Sequence, residues 1–208
     1  MNVQSCHQLR RIRVEGTWYR AVPPKYVTGV FSTWHTGTIS SRFSPATPAQ
    51  PQFEILYLAE NSRVALHEVG ALYGSPQKPG GEVANPSACF TVVEVTVNLS
   101  DVADLTDPAE AALVATNAQE LTGDWWFYTK RRPPPPGGSA PHTGRAPTQV
   151  FGKALFELRT FKGFVSFSAA LPDCKILGVF TERLANSTSA LEYTHPDLAG
   201  GSQRFQIP

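Results

Sequence analysis

Between Cys89 and Leu99 apolar residues recur at every second position, with Val93, Val95, Val97 and Leu99 on one face, and this period of two predicts a strand. Thr17 to Val22 (TWYRAV) reads as a short strand stopped by Pro23-Pro24, since proline removes ladder donors and pins φ; Trp18, Arg20 and Val22 then share a face. Phe53 to Ala59 (FEILYLA), Phe161 to Ala169 (FKGFVSFSA) and Lys175 to Thr181 (KILGVFT) read as further strands. In FKGFVSFSA, alternation puts Phe161, Val165 and Phe167 on one face and Ser166 and Ser168 on the other.

Three segments carry helical spacing. One begins at an Asn61 or Ser62 cap, continues through Ala65, Val69, Leu72 and Tyr73, and ends before Gly74. A second opens at Asp107-Pro108 and runs to Gly123, and a third spans Thr148 to Leu158 with Val150, Phe151, Ala154, Leu155 and Leu158 in register. Segments rich in Pro, Gly and Ser separate these elements: 23–52, 75–87 and the basic excursion 130–147 (KRRPPPPGGSAPHTGRAP), which offers little apolar area and reads as a spacer. From Leu184 the tail is weakly patterned. With no internal repeat and no composition break, residues 1–208 read as one α+β domain with a core at about 15–182. Its central sheet is mixed or mostly antiparallel, with helices flanking it.

Glu68 breaks the pattern of the first helix. Its neighbours three and four positions away in a continuous helix are Val64, Ala65, Ala71 and Leu72, so no local cation pairs with it. A carboxylate on an apolar stripe must find its partner elsewhere in the fold or be held for chemistry.

Composition narrows the function classes. Eighteen Lys and Arg against 17 Asp and Glu leave a formal charge of +1, too small a field to draw the chain to nucleic acid or to an anionic membrane. Three cysteines, at 6, 89 and 174, show no zinc spacing and fit a reducing compartment. The stretch MNVQSCHQLRRIRVEG has no apolar run after its charges and no segment reaches membrane-spanning length, so a cytoplasmic protein is expected. The sequence has no GxxxxGK[ST], no GxGxxG after a strand and no GxSxG. His67-Glu68 starts like a zinc-protease helix, but position 71 holds Ala71 where the second histidine would stand. The remaining histidines lack ligand spacing, and no metal or resident cofactor is expected.

Arg20, Arg42, Tyr57, Glu68 and Ser168 stay as polar residues on or beside structured segments. In order and spacing, WYRAV (18–22), SRFSP (41–45), YLAENSRVALHEV (57–69), LTGDWW (121–126), PTQVFGKAL (147–155) and GFVSFSA (163–169) resemble the RES domain family, named for an arginine, a glutamate and a serine. The family's usual Gly-Arg-Trp reads Ser41-Arg42-Phe43 here, and Phe167 precedes the serine where proline is frequent.

The resemblance implies an ADP-ribosyltransferase-like fold and the destruction of NAD, by hydrolysis or phosphorolysis, in a toxin–antitoxin pair whose antitoxin carries a helix-turn-helix. It places Arg20, Arg42, Tyr57, Glu68 and Ser168 at the active site. Arg20 and Arg42 suit the pyrophosphate, Tyr57 the nicotinamide or its ribose, Glu68 the cationic sugar of the transition state, and Ser168 the orientation of substrate or of Glu68. Two alternatives stay open: transfer of ADP-ribose to a protein, and a non-catalytic nucleotide-binding module.

Overall fold

The computed structural model describes residues 1–75, 78–130, 144–185, 188–194 and 203–205; most of the 130–147 excursion lies outside them. Among the described residues nine strands form, in chain order: β1 (Arg11–Val22), β2 (Ile55–Ala59), β3 (Leu72–Gly74), β4 (Glu82–Ala84), β5 (Thr91–Asp104), β6 (Gly163–Phe167), β7 (Lys175–Phe180), β8 (Ala190–Tyr193) and β9 (Gln203–Phe205). Five α-helices accompany them among the described residues: α1 (Ser62–Glu68), α2 (Pro108–Leu113), α3 (Ala118–Thr122), α4 (Trp125–Lys130) and α5 (Pro147–Glu157).

The main sheet runs β1-β2-β7-β6-β5-β8-β9, and β1 also pairs with β5, so five of its strands close into a ring. All pairings in it are antiparallel except β5 with β6. The expected mixed, mostly antiparallel sheet is therefore present, but closed. Closure rests on β5. One of its edges pairs with β1 from Arg11↔Ala103 to Val22↔Thr91, while β8 along Val95–Asn98 and β6 along Val102–Asp104 share the other. The change of partner falls at Asp101, whose φ of 58° kinks the strand.

Two apolar faces follow from alternation. Val93, Val95, Val97, Leu99, Leu56, Leu58, Leu177 and Val179 form one cluster; Phe43, Phe53, Phe151, Leu155, Phe164 and Phe180 form the other, joined by rings such as Phe43–Phe164 at 4.4 Å. The seam of the ring is its thinnest point, because β1 and β2 pair at a single register, Tyr19↔Ala59.

Several boundaries differ from the pattern. β1 starts at Arg11, six residues before TWYRAV: RIRVEG also alternates, but with Arg11, Arg13 and Glu15 exposed, so its outer face reads as a solvated charge run. The first helix stops at Glu68 instead of reaching Gly74. Gly70, at φ +70°, takes the left-handed position of a Schellman motif, with Ala71 N donating to Leu66 O (2.9 Å) and Gly70 N to His67 O (3.0 Å), and Leu72 and Tyr73 go into the β3–β4 hairpin. The 107–123 helix is two helices, broken at Ala115 (φ 49°) and recapped by Asn117, whose Oδ1 accepts from Glu120 N (2.9 Å). The tail contributes β8 and β9, with Leu191 and Tyr193 buried on the sheet.

Candidate active site

A cavity of about 790 Å³ opens at the seam between β1 and β2, where the single bridge lets the strands part. Arg20, Tyr57 and Glu68 line it; Arg42 and Ser168 do not, and Ser168 meets it through Glu68.

Glu68 is the last residue of α1 and is exposed to the cavity, not buried on an apolar stripe; the chain turns away at Gly70, so Ala71 and Leu72 are not its helical neighbours. A carboxylate there faces the negative end of the helix, where stability alone favours a cation. Ser168 holds it. The Ser168 Oγ, fully buried, lies 2.5 Å from Glu68 Oε1 and accepts from Leu171 N (3.1 Å). A hydroxyl has one proton, and with Leu171 N–H on a lone pair that proton goes to Glu68. Ser168 stands just past the end of β6, fixed by its own N donating to Cys174 O (2.8 Å).

The cation missing from the helix arrives from the 23–52 loop. Arg42 is desolvated, which lowers its pKa, while Glu68, Tyr57 and Asp124 oppose that shift, Glu68 foremost. Its Nη1 donates to Leu121 O (3.1 Å) and Gly123 O (2.5 Å), capping the end of α3 and tying the LTGDWW segment to the site. The turn that carries Arg42 is closed by Ser41 N on Ser44 O (2.9 Å). Buried Gln149 of α5 clamps it, with Nε2 donating to Ser40 Oγ and Ser41 O, each at 2.9 Å, and Oε1 accepting from Ala146 N (3.0 Å). Gln149 was legible only as a polar residue inside PTQVFGKAL.

Tyr57, central in β2, has its hydroxyl 3.0 Å from Ser41 Oγ; burial pushes its pKa up to about 12, so it is a neutral phenol. Arg20 donates from Nη1 to Val30 O, and burial lowers its pKa to about 10, which leaves it cationic at neutral pH. His35, which its spacing gave no role, lines the same cavity, and burial first, then Arg20, lowers its pKa against the pull of Glu54. Among the described residues no group of three or more His, Cys, Asp and Glu is placed to hold a metal, and no helix is long and apolar enough to cross a membrane.

On the far side of α1, Glu82 of β4 accepts from Arg63 Nε (2.5 Å) and from His67 Nε2 (2.6 Å), with His67 buried, so the hairpin is tied to the turn that presents Glu68. Arg63 first and His67 second hold the Glu82 carboxyl below its usual 4.5. A depressed carboxyl contributes stability above its usual value and loses it as the pH falls through the lowered one. Wild type should therefore melt above Glu82→Gln at pH 7, and the gap should close as the pH drops below 4.5. A gap that does not narrow in melting curves between pH 7 and 3 would show that the Glu82 charge does not tie the hairpin.

The RES domain profile matches residues 17–198. The chain belongs to the RES domain family. Among solved structures it is similar to a chain of the M. tuberculosis MbcT–MbcA toxin–antitoxin complex, with a TM-score of 0.58 and 19% identity over 98% of this chain and 91% of that one. At that identity the likeness is one of fold. No curated protein matches the sequence. The RES domain thus supplies the ring, the seam and the cavity on which Glu68, Tyr57 and Arg20 converge.

Proposed function

We propose that this RES domain cleaves the nicotinamide–ribose bond of NAD and acts as a toxin restrained by an antitoxin partner. The observation that carries this reading is Glu68: a carboxylate exposed to a large cavity, fixed through one oxygen by a buried hydroxyl and facing a cationic wall. Bond cleavage builds positive charge on the ribose, and a preoriented carboxylate beside the sugar stabilises that charge more than it stabilises the ground state. Nicotinamide departs as a neutral base from a cationic ring, so no general acid is required and one carboxylate suffices.

Arg20 is the group for the pyrophosphate, since it lines the cavity and keeps N–H donors beyond the one on Val30 O. Arg42, expected to share that task, instead positions: its guanidinium caps α3 and supplies the charge opposite Glu68. Tyr57, neutral and half-buried, offers its ring to nicotinamide or ribose, and Ser168 orients Glu68.

Family membership supports the toxin assignment, as does the toxin–antitoxin complex in which the similar chain occurs. A helix-turn-helix antitoxin, and kinship with the ADP-ribosyltransferases, belong to the same proposal through the resemblance. Purified protein given NAD is expected to release nicotinamide together with free ADP-ribose, or with its phosphorylated form when phosphate is the acceptor. ADP-ribose left on protein would instead mean transfer, and intact NAD would overturn the enzymatic reading. Arg20→Lys keeps the charge but loses the planar fork, and should raise KM for NAD about tenfold with kcat little changed; an unchanged KM would remove Arg20 from the pyrophosphate.

A further inference from the structure

The cavity's lining includes β2 from Ile55 to Ala59, and the chemistry differs between the two ends of that strand. At the Ala59 end stand Ala65 and Glu68 of α1. At the Ile55 end stands a 3-10 turn, Trp34–Gly37, anchored where Thr36 Oγ1 accepts from Ile55 N (3.0 Å) and Gly37 O accepts from Gln52 N (2.8 Å). Five extended residues separate the ends by about 13 Å. Because β1 runs antiparallel to β2 from Tyr19↔Ala59, the chain beyond it passes Arg20 and reaches a second 3-10 turn, Pro24–Gly29, on the side of the Ile55 end.

These two turns carry surface that stability does not explain. Trp34 is 71% exposed and Tyr26 54% exposed, and both line the cavity. The Trp34 ring meets His35 in a T-shaped contact (6.0 Å, 86°), and Lys25 Nζ lies 4.8 Å from the Tyr26 ring centre. His35, desolvated and beside Arg20, is held toward its neutral form, so it adds a hydrogen-bonding edge without a further charge.

The geometry points to a second subsite at this end, in which Trp34 stacks on the purine base of a dinucleotide and Lys25 takes the adjacent phosphate. The inference rests on the reading of NAD as substrate. Order along the cavity then matches the order of groups in a dinucleotide: Glu68 at the scissile sugar, Arg20 at the pyrophosphate, Lys25 and Trp34 at the adenosine half. A flat indole stacks on the face of any base, so this end of the cavity rewards a ligand that brings a second base, which AMP and the dinucleotide do and nicotinamide mononucleotide held at Glu68 does not.

Calorimetric titration of AMP and of nicotinamide mononucleotide into wild type, Trp34→Ala and Lys25→Gln tests this without requiring turnover. Trp34→Ala should weaken AMP about tenfold or more and leave nicotinamide mononucleotide unchanged. Lys25→Gln should weaken AMP but not adenosine. AMP affinity unchanged in Trp34→Ala, equal losses for both mononucleotides, or no AMP binding by wild type would overturn the subsite; the last would leave the rim to a polypeptide. NAD cleavage is read separately, so intact NAD beside Trp34-dependent AMP binding would fault the reaction and leave the subsite standing.

Discussion

Glu68→Gln should keep the fold and NAD binding yet lower turnover by roughly a hundredfold or more, the size of effect seen when one preorganised electrostatic group is removed from a site of charge development. The replacement is nearly isosteric, and its amide oxygen still accepts from Ser168 Oγ, so the packing around α1 is preserved. What is lost is the negative charge that Glu68 presents to the cavity. Removing it should not cost stability, because a carboxylate at the last residue of a helix opposes the helix dipole. The melting temperature is therefore expected to hold or rise while kcat falls, and this opposite movement separates a catalytic residue from a structural ion-pair member. Wild-type turnover in Glu68→Gln would remove Glu68 from the reaction. A fall in stability matching the fall in rate would place its main role in tying Arg42 to α1.

How much of this was legible depended on whether the signal was local. β5 was plain from Val93 to Leu99, because a strand buried on one face writes its period into the residues. Glu68 stood out in sequence, although for an incomplete reason: the apolar neighbours counted against it included Ala71 and Leu72, which a glycine at positive φ turns out of the helix, Leu72 into a hairpin. Gly70 was in view, but one glycine does not say whether a helix tolerates it or ends at it. Ring closure could not be read, since it depends on β5 pairing on both edges with strands distant in sequence. The same holds for the Ser168–Glu68 contact, made across 100 positions, and for the carbonyls of Leu121 and Gly123 that take Arg42. The residue types were legible one at a time; which of them face substrate and which hold others in place was not, because that division is set by tertiary packing.

Gly152→Ala should destabilise the protein by about 2 kcal/mol, the middle of the range for forcing extra volume into a packed site. Helix propensity alone gives the opposite sign, as Gly152 lies inside α5 and alanine is favoured over glycine there by about 1 kcal/mol. The deciding fact is the approach of α5 to the turn that bears Arg42. A Cβ built on Gly152 would lie 2.1 Å from Phe43 O and 3.0 Å from Phe43 C, and these are backbone atoms that cannot rotate aside. Either α5 or the 41–44 turn must move back. Gln149, one turn earlier on the same helix, grips that turn through Ser40 and Ser41, and Arg42 reaches from it to α3, so the displacement passes directly to the site. At about 2–4 °C per kcal/mol for a chain of this size, the melting temperature should drop by about 4–8 °C. NAD turnover should fall with it, even at temperatures where the variant is fully folded. A melting temperature that rises would mean that the helix recovers its propensity at no steric cost, and that the contact between α5 and the Arg42 turn is looser than the one described.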